Sequence, residues 1–454
     1  MVNAVNAGAR LDRLPISAFH HRVMWLIGIG MFFDGFDIYL AGGVLATTLK
    51  TGFSTFPQNL QFISVTFMGM VVGAFLTGFL GDKYGRRFTY QANLALFGVA
   101  SIAAAFAPSM AVLIAIRFLI GAGLGAETVV GYATLTEFIP PKQRGKWLGL
   151  MVVFVVTGLP IASLVSLVLI PAFGWRPMFI IAGVGALIVW YLRKSLAESP
   201  RWLESVGRNK EAEDIMQAIE RESAVNGSLP PIPATVPVPV LQGGLASLFG
   251  PALLPRLIVG AVTMIVANTL IFGFVTFIPQ FFVKEGLSIA TSFGFTMLMS
   301  IGAPIGAAIG GLTADSWGRK PTIIGASLLT IVLGAIYPYM HDPVLLPLVG
   351  FLLMIPIYVL VSVLIGIYVS ELFPTEVRMR GAGISNTFGR AATVVTPFIV
   401  GSLFVSHGVG GVIAFLIALL IVQIIVVATL GVEPKGRALE ELEAPSPAVP
   451  LAAV

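Results

Sequence analysis

The segment "FFDGFDIYL" at positions 32–40 places two aspartates, Asp34 and Asp37, inside an apolar run from about residue 23 to about residue 49. A charged side chain at the centre of a bilayer costs about 2.5–3.5 kcal/mol even on insertion scales, so such residues persist where they face a cavity or pair with each other. Residues three apart on a helix project from one face, and two adjacent carboxylates in a low dielectric resist simultaneous ionisation. This arrangement is typical of a group that gains and loses a proton near neutral pH.

Three further charged residues lie within apolar runs, namely Arg117, Glu127 and Arg390. An arginine stays protonated even when buried, so Arg117 can keep Asp37 ionised, or it can form a static ion pair that locks the helices together. Glu127 is either a second proton relay or a hydrogen-bonding partner of a neighbouring helix. Arg390 carries a planar fork of donors that matches a carboxylate, although an arginine can also extend its head group to a helix end.

The composition assigns these charges to a membrane protein. Of the 454 residues, 57% are hydrophobic and 11% are charged, against roughly 25% charged in soluble domains. Apolar runs of about 20 residues, long enough to span a bilayer as helices, recur along the chain. The net charge of +5 does not indicate nucleic-acid binding, because the basic residues lie in short loops. The lack of cysteine excludes disulfides and thiolate metal sites, and we expect an all-α membrane protein with no metal site.

The hydropathy pattern predicts twelve spans, numbered 1 to 12, near residues 23–49, 60–80, 88–107, 111–137, 147–170, 176–196, 256–283, 291–313, 321–340, 345–370, 382–406 and 411–431. An even number of spans places both termini on one side. Arginine and lysine concentrate in the loops on that side, whereas the opposite loops contain only Lys50, Arg176 and Lys284. The positive-inside rule therefore predicts cytoplasmic termini in a cell membrane, for which a bacterial inner membrane is expected.

One long polar segment separates spans 6 and 7. Its first part, 204–222, has the charge pattern of a surface helix, and "LPPIPATVPVPV" at 229–240 predicts an extended linker. The predicted domains are therefore a six-span bundle at 1–196, a cytoplasmic loop at 197–254, a second bundle at 255–431 and a tail at 432–454.

The two halves repeat each other. "GDKYGRR" after span 2 returns as "ADSWGRK" 233 positions later, and "EFIPPKQRG" after span 4 returns as "ELFPTEVRMRG" 234 positions later. Two separate motifs at nearly one offset predict a duplicated six-span unit, as many secondary transporters have.

These paired motifs, with "RFLIGAGLGAE" in span 4, "ESPRWL" after span 6 and "EPKGRALEE" after span 12, resemble the major facilitator superfamily. The last two resemble its sugar porters, "DGFD" is similar to the signature of aromatic acid:proton symporters, and the spacing of Arg378 and Arg390 resembles organic anion transporters and nicotinate-type carriers. The resemblance covers nearly the whole chain. It implies two pseudo-symmetric six-helix bundles (the major facilitator fold) around a cavity that opens alternately to each side.

The resemblance also implies roles for individual residues. Asp37 would carry the proton opposite Arg117, Asp34 would be its helper or a substrate contact, and Arg390 would recognise an anionic substrate. Spans 1, 7, 10 and 11 contribute to the cavity in this family, and the candidate substrate-binding residues on them are Phe33, Asn268, Tyr358 and Asn386. Charge contacts between helix ends would hold the outward-open state until they break. These switch residues are Asp82, Arg86, Arg87, Glu137, Arg144, Arg201, Asp315, Arg319, Glu371 and Arg378.

The leading hypothesis is a proton-coupled symporter that takes up a small organic acid, such as an aromatic or nicotinate-like carboxylate. A proton-coupled sugar or polyol symporter is the alternative. A drug:proton antiporter is less favoured, because span 5 has only Gly158 and Pro160 where such proteins carry a glycine- and proline-rich pattern. The sequence has no nucleotide-binding loop, which argues against a pump. It has no cysteine, and its four histidines fall at span ends or in loops, which argues against an enzyme. We expect a monomer in the lipid bilayer that binds a small-molecule substrate, with the proton as coupling ion and no cofactor.

Overall fold

The computed structural model describes residues 5–224, 228–232, 248–251, 253–373 and 378–434. In this part of the chain, eleven helical segments are long and apolar enough to cross a membrane. The last of them is two helices joined at Gly408, whose φ of +65° interrupts the helical backbone. The protein is therefore an all-helical membrane protein whose segments correspond to the twelve predicted spans.

The N-terminal half contains spans 1 to 6 as single helices. Their bounds are Ala18–Lys50, Phe56–Tyr84, Arg86–Ala105, Met110–Phe138, Pro141–Phe173 and Arg176–Leu192. A short helix, Ala7–Asp12, precedes span 1, and Pro200–Ser205 and Asn209–Ser223 follow span 6. The second of these corresponds to the surface helix expected at 204–222. The linker expected at 229–240 and the tail at 432–454 lie mostly outside the described residues.

Most spans of the C-terminal half are interrupted, although span 9 is the single helix Arg319–Ile336. Span 7 is Leu254–Gly273, Val275–Phe277 and Ile278–Lys284; span 8 is Ile289–Ser300 and Gly302–Ser316; span 10 is Leu345–Val361, Ser362–Tyr368 and Val369–Glu371; and spans 11 and 12 are Arg378–Leu430. The middle piece of span 10 is π-helical, a form that often occurs at functional sites. Pro279, which has no backbone N–H, lies in the first turn of the last piece of span 7.

The face that carries residues 5–22 and 431–434 is called the terminal face, and the other the opposite face. Three spans that begin at the opposite face have N-cap side chains whose oxygens accept backbone hydrogen bonds, namely Thr55, Ser109 and Ser288. Such a cap is worth about 1 kcal/mol, because it pairs an amide that the helix leaves free. The caps fix where these helices begin.

Two glycines turn the chain at equivalent places of the two repeated motifs. Gly85 joins spans 2 and 3 with a φ of +91°, and Gly318 joins spans 8 and 9 with a φ of +107°. Both values lie where an L residue with a Cβ is strained and glycine is not. The sequence repeat is thus also a repeat of backbone conformation.

Candidate functional site

Asp37 of span 1 and Arg117 of span 4 form a buried ion pair. Asp37 Oδ2 lies 2.6 Å from Arg117 Nη1, and the two side chains are 0% and 1% exposed. Arg117 Nε donates a further hydrogen bond of 3.1 Å to Thr66 Oγ1 on span 2. Within the described residues, the other oxygen of Asp37 has no hydrogen-bond partner. One carboxylate oxygen therefore holds the arginine, while the other is left as an acceptor.

Aromatic rings enclose the guanidinium group of this pair. The Cζ atom of Arg117 lies 4.7 Å from the ring centroid of Phe62 and 5.9 Å from that of Phe179. Such contacts hold a desolvated cation with about 0.5–2 kcal/mol. Removing one partner of a buried ion pair costs about 3–5 kcal/mol, because the other charge remains unpaired. Protonation of Asp37 would leave Arg117 as a buried cation in need of another anion.

Glu127 forms a second buried ion pair with Arg193, which directly follows span 6. The atoms in contact are Glu127 Oε1 and Arg193 Nη1, and each side chain is 1% exposed. Arg193 also donates through Nε to the carbonyl of Leu26 (2.8 Å) and through Nη2 to that of Ile27 (3.0 Å), both in span 1. The arginine thereby connects spans 1, 4 and 6.

Asp34 lies on span 1 beside this second pair. It is 2% exposed, and neither of its oxygens accepts a hydrogen bond from the part of the chain that the structure describes. Gly30, one helical turn earlier, faces the pair closely, since a Cβ on it would lie 3.2 Å from Glu127 Oε1. Asp34 therefore has carboxylates on two sides, Asp37 along its own helix and Glu127 across the bundle.

The two halves are in contact on the opposite-face side of Asp37. The hydroxyl of Tyr358 in span 10 donates to the hydroxyl of Tyr39 in span 1 at 3.0 Å. Asn59 Nδ2 of span 2 donates to Gln280 Oε1 of span 7, also at 3.0 Å. Both bonds are buried and join one half to the other.

A cavity adjoins this contact between the halves. Span 1 and the broken part of span 7 approach closely at Gly42, where a Cβ would lie 2.9 Å from the carbonyl oxygen of Thr276. None of the cavity's lining residues is charged. Its polar lining residues are Tyr39, Ser163, Ser166, Thr276 and Thr296.

Arg390 lies on span 11 and is half-buried. It forms no ion pair with any residue that the structure describes. Its neighbour Gly389 packs against span 7, where Asn268 Nδ2 lies 2.7 Å from the position that a Cβ on the glycine would take. Asn386, one helical turn from Arg390, is exposed. Of the four candidate lining residues, Asn386 is thus one helical turn from the arginine, and Asn268 lies against the neighbouring glycine.

The other two candidate lining residues have different neighbours. Phe33 packs against Gly185 of span 6 and lies 5.3 Å, centroid to centroid, from Phe32. Its described contacts are therefore inside the N-terminal half. Tyr358 is fully buried and contacts Tyr39 across the halves. The structure does not bring either side chain together with Arg390.

At the terminal face, the two halves contain the same ion pair. Arg86 Nε lies 2.8 Å from Glu137 Oε1 in the first half, and Arg319 Nε lies 2.8 Å from Glu371 Oε2 in the second. Among the residues that the structure describes, each ion pair at this face lies within one half. The side chains of three predicted switch residues, Asp82, Asp315 and Arg378, lie outside the described part.

A second repeated feature anchors spans 3 and 9. Glu198 accepts hydrogen bonds from the first two backbone N–H groups of span 3, at 3.0 and 3.1 Å. Glu433 accepts from the first two N–H groups of span 9, at 3.0 and 2.8 Å. An anion at a helix N-terminus satisfies free amides and interacts favourably with the helix dipole. Burial raises the pKa of Glu198, and the backbone hydrogen bonds oppose that effect.

Arg144 and Arg201 share Asp12 as a partner, with Nη2 to Oδ1 distances of 3.7 and 2.6 Å. Arg201 Nε also donates to the backbone carbonyl of Glu137 at 3.0 Å. Arg87 Nη2 donates to a backbone carbonyl after span 6 at 2.9 Å. The switch arginines of the first half are thus bound to the N-terminal segment and to the loop after span 6.

Residues 5–13 and the two helices after span 6 form what we call the N-terminal clasp. Glu204 accepts the backbone N–H groups of residues 6 and 7, both at 2.8 Å. Arg10 contacts Glu213 and Glu220 at 2.5 and 2.7 Å, and Arg13 contacts Glu220 at 2.7 Å. These bonds hold the segment before span 1 against the two helices that follow span 6.

Arg193, Asp12, Glu198 and Glu433 belong to these clusters, and the sequence did not single them out. Arg193 lies beside Lys194 at the end of a span. A basic residue is expected there from membrane topology alone, so it gave no reason to predict a buried ion pair. Glu198 and Glu433 begin the motifs "ESPRWL" and "EPKGRALEE", so their equivalent positions in the two halves were a signal in the sequence. No such signal exists for Asp12.

Two repeated six-span halves, with buried ion pairs in the membrane region and a cavity where they meet, define a membrane transport protein. The chain matches the model of the Major Facilitator Superfamily over residues 27–397, and it belongs to that family.

Relatives along nearly the whole chain are transport proteins. The inner membrane metabolite transport protein YdjE of Escherichia coli is 36% identical and aligned over 96% of this chain and 98% of its own. The niacin transporter NiaP of Acinetobacter baylyi is 30% identical, and the alignment covers 96% of this chain and 99% of NiaP. A partially occluded inward-open structure of the xylose transporter XylE from E. coli has a TM-score of 0.71 at 16% identity and covers 93% of this chain and 100% of its own, which supports the fold.

Proposed function

We propose that this transporter is a symporter, which couples the entry of a small organic acid to the entry of a proton. The observation that carries the proposal is the Asp37–Arg117 pair, fully buried and with one carboxylate oxygen unbonded among the described residues. A proton on Asp37 cancels its attraction to Arg117 and leaves one more positive charge in the interior, which favours the entry of an anionic substrate. Proton and substrate would each favour the binding of the other, which is the requirement for symport.

Arg390 is the proposed contact for the substrate carboxylate. It is half-buried, and no described carboxylate pairs with it. A guanidinium group offers two parallel donors to a carboxylate. The relative named as a niacin transporter supports an aromatic or nicotinate-like carboxylate as substrate.

The terminal face is proposed to be cytoplasmic, in a bacterial inner membrane. The loops on this face carry most of the arginines and lysines, and the relative YdjE is named an inner membrane protein. With this orientation, the hydrogen bonds between the halves near Tyr39 and Asn59 close the outer side. We propose that the structure represents an inward-facing state and that the terminal-face ion pairs are parts of the switch.

A sugar or polyol is the second candidate substrate. The lining beside Tyr39 offers hydroxyl groups rather than a cation, and one relative, the arabinose-proton symporter of Bacillus subtilis, is 26% identical. The space there admits about one water molecule in this structure, so a neutral solute would enter it in a more open state, and it would not need Arg390.

Uptake into proteoliposomes under an imposed pH gradient tests the proposal. Accumulation of a radiolabelled aromatic acid or nicotinate above the equilibrium level, with none for pentoses, is the expected result. Asp37→Asn should abolish the gradient-driven accumulation but preserve exchange of labelled for unlabelled substrate. Gradient-driven uptake by the Asp37→Asn protein at the unmodified rate would refute proton coupling through this residue.

A further inference from the structure

We propose that Asp34 and Glu127 carry one proton between them beside Arg193, and that this cluster is a second stopping point for the transported proton. The cluster of Asp34, Glu127 and Arg193 is called the inner station, and the Asp37–Arg117 pair the outer station. The role in transport rests on the proton symport proposed above, whereas the shared proton does not depend on it.

The inner station is a rigid and enclosed site. Its three side chains are each at most 2% exposed and come from span 1, span 4 and the end of span 6. Arg193 is held by the two span 1 carbonyls as well as by Glu127. Gly30 leaves room for this approach, since the guanidinium and Glu127 fill the space where a side chain would be. These three contacts direct the guanidinium to span 1 and Glu127 rather than to the outer station.

The number of charges differs between the stations. The outer station has one acid and one guanidinium, so it is neutral without a proton. The inner station has two acids and one guanidinium, and it is neutral only when one acid is protonated. An unpaired buried carboxylate costs several kcal/mol, and Asp34 has no hydrogen-bond donor within the described part of the chain. A single bound proton removes that cost.

Among the described residues, no second cation faces the inner station. The charged groups that face Asp34 are Glu127, Arg193 and Asp37. From span 3, Tyr90 lies with its ring centroid 5.8 Å from Arg193 Cζ and donates its hydroxyl hydrogen to the carbonyl of Leu196 at 3.1 Å. Tyr90 therefore adds no charge to the cluster. The inner station still has one more carboxylate than it has guanidinium groups.

The two stations lie at different depths. Span 4 begins at the opposite face at Met110, reaches Arg117 about 10 Å along its axis and reaches Glu127 about 15 Å further. Asp34 is three residues nearer the terminal face than Asp37, about 4.5 Å along span 1. Release of the inner station's proton to water on the terminal face leaves that station with an excess of one negative charge. A proton that then moves from the Asp37 carboxyl refills the inner station and returns Asp37 to its ion pair with Arg117.

Infrared difference spectroscopy of the full-length protein in lipid nanodiscs tests the shared proton directly. The C=O stretch of a protonated carboxyl, identified by its shift in D2O, should be present at pH 7 in the unmodified protein. It should disappear in Asp34→Asn and in Glu127→Gln, because one acid and one arginine then form an ordinary ion pair. It should remain in Asp37→Asn and should about double in Arg193→Gln.

The control is Glu137→Gln, which removes an acid of the same helix that is already paired with Arg86 and should leave the band unchanged. Absence of the band in the unmodified protein, or its persistence in both Asp34→Asn and Glu127→Gln, overturns the proposal. If a variant fails to fold, absence of the band from the unmodified protein still overturns the proposal.

Transport assays test whether the inner station is a stopping point for the transported proton. Glu127→Gln should reduce pH-gradient-driven accumulation to the level without a gradient and preserve substrate exchange. Full gradient-driven uptake by a Glu127→Gln protein whose band is lost would show that the proton is stored but not transported, and would overturn the role as a stopping point. If the unmodified protein accumulates no acid under a gradient, the proposed symport fails, and the spectra still decide whether the proton is shared.

Discussion

The hydroxyl of Tyr358 donates a hydrogen bond of 3.0 Å to the hydroxyl of Tyr39, and this bond joins the two halves of the transporter. It lies next to the uncharged cavity and one helical turn or less from Asp37. The contact between the halves and the buried charges are thus neighbours along span 1, so a change of charge at Asp37 acts close to the point where the halves separate.

Tyr358→Phe should loosen the closed opposite face. A buried hydrogen bond contributes about 0.5–1.5 kcal/mol, so the open fraction at that face should rise about 2- to 12-fold. Because the chain has no cysteine, a Ser163→Cys reporter in the cavity can be labelled with an impermeant maleimide added from the opposite face. Tyr337→Phe is the control, since that tyrosine contacts Met299 within the same half. Equal labelling rates with and without Tyr358→Phe would contradict the prediction.

Removing one member of the outer station should destabilise the protein, whereas removing both should not. Arg117→Gln leaves Asp37 buried and unpaired, for an expected loss of about 3–5 kcal/mol. The double variant Asp37→Asn with Arg117→Gln should regain most of that loss and remain inactive in gradient-driven uptake. Thermal unfolding in detergent, arranged as a double-mutant cycle, measures the coupling. Additive losses would indicate that the two charges do not depend on each other.

Arg390 should distinguish charged from neutral ligands. Arg390→Ala is expected to weaken carboxylate binding by at least tenfold and to leave the binding of the uncharged amide analogue unchanged. Arg390→Lys should restore only part of the affinity, because an ammonium group cannot form two parallel hydrogen bonds. Binding measured by calorimetry on protein of native thermal stability checks this. Equal losses for acid and amide would assign the arginine a structural role.

The N-terminal clasp should weaken in acid. Hydrogen bonds from Arg10 hold the pKa of Glu220 and that of Glu213 below their usual range. A carboxylate whose pKa is lower in the folded than in the unfolded state adds stability above the unfolded value and loses it as pH falls through the folded value. The clasp should therefore be complete at neutral pH and should open as pH falls below about 4.3.

Spin labels on Ala9→Cys and Ala218→Cys can follow this opening as a longer and broader distance distribution. In Glu220→Gln the distances should already be broad at neutral pH and should change less on acidification. A narrow distribution that is unchanged at low pH would contradict the prediction.

The sequence predicted the twelve spans because hydrophobic length is a local property. It also suggested the pairing of Asp37 with Arg117, because two charges in long apolar runs must find partners. It could not predict that Glu127 pairs with Arg193, since the rotation of spans 1, 4 and 6 about their axes depends on packing across the bundle. The breaks in spans 7 and 10 were missed for a related reason: the apolar pattern there is continuous, and only tertiary contacts fix the local backbone.

The position of Glu204 has a practical consequence for anyone who labels this protein. Its carboxylate receives the backbone amides of residues 6 and 7, so an epitope or fluorescent fusion placed directly before them would crowd that carboxylate. Fusions at the carboxyl end leave these two backbone amides unaltered and are the better choice for purification and imaging.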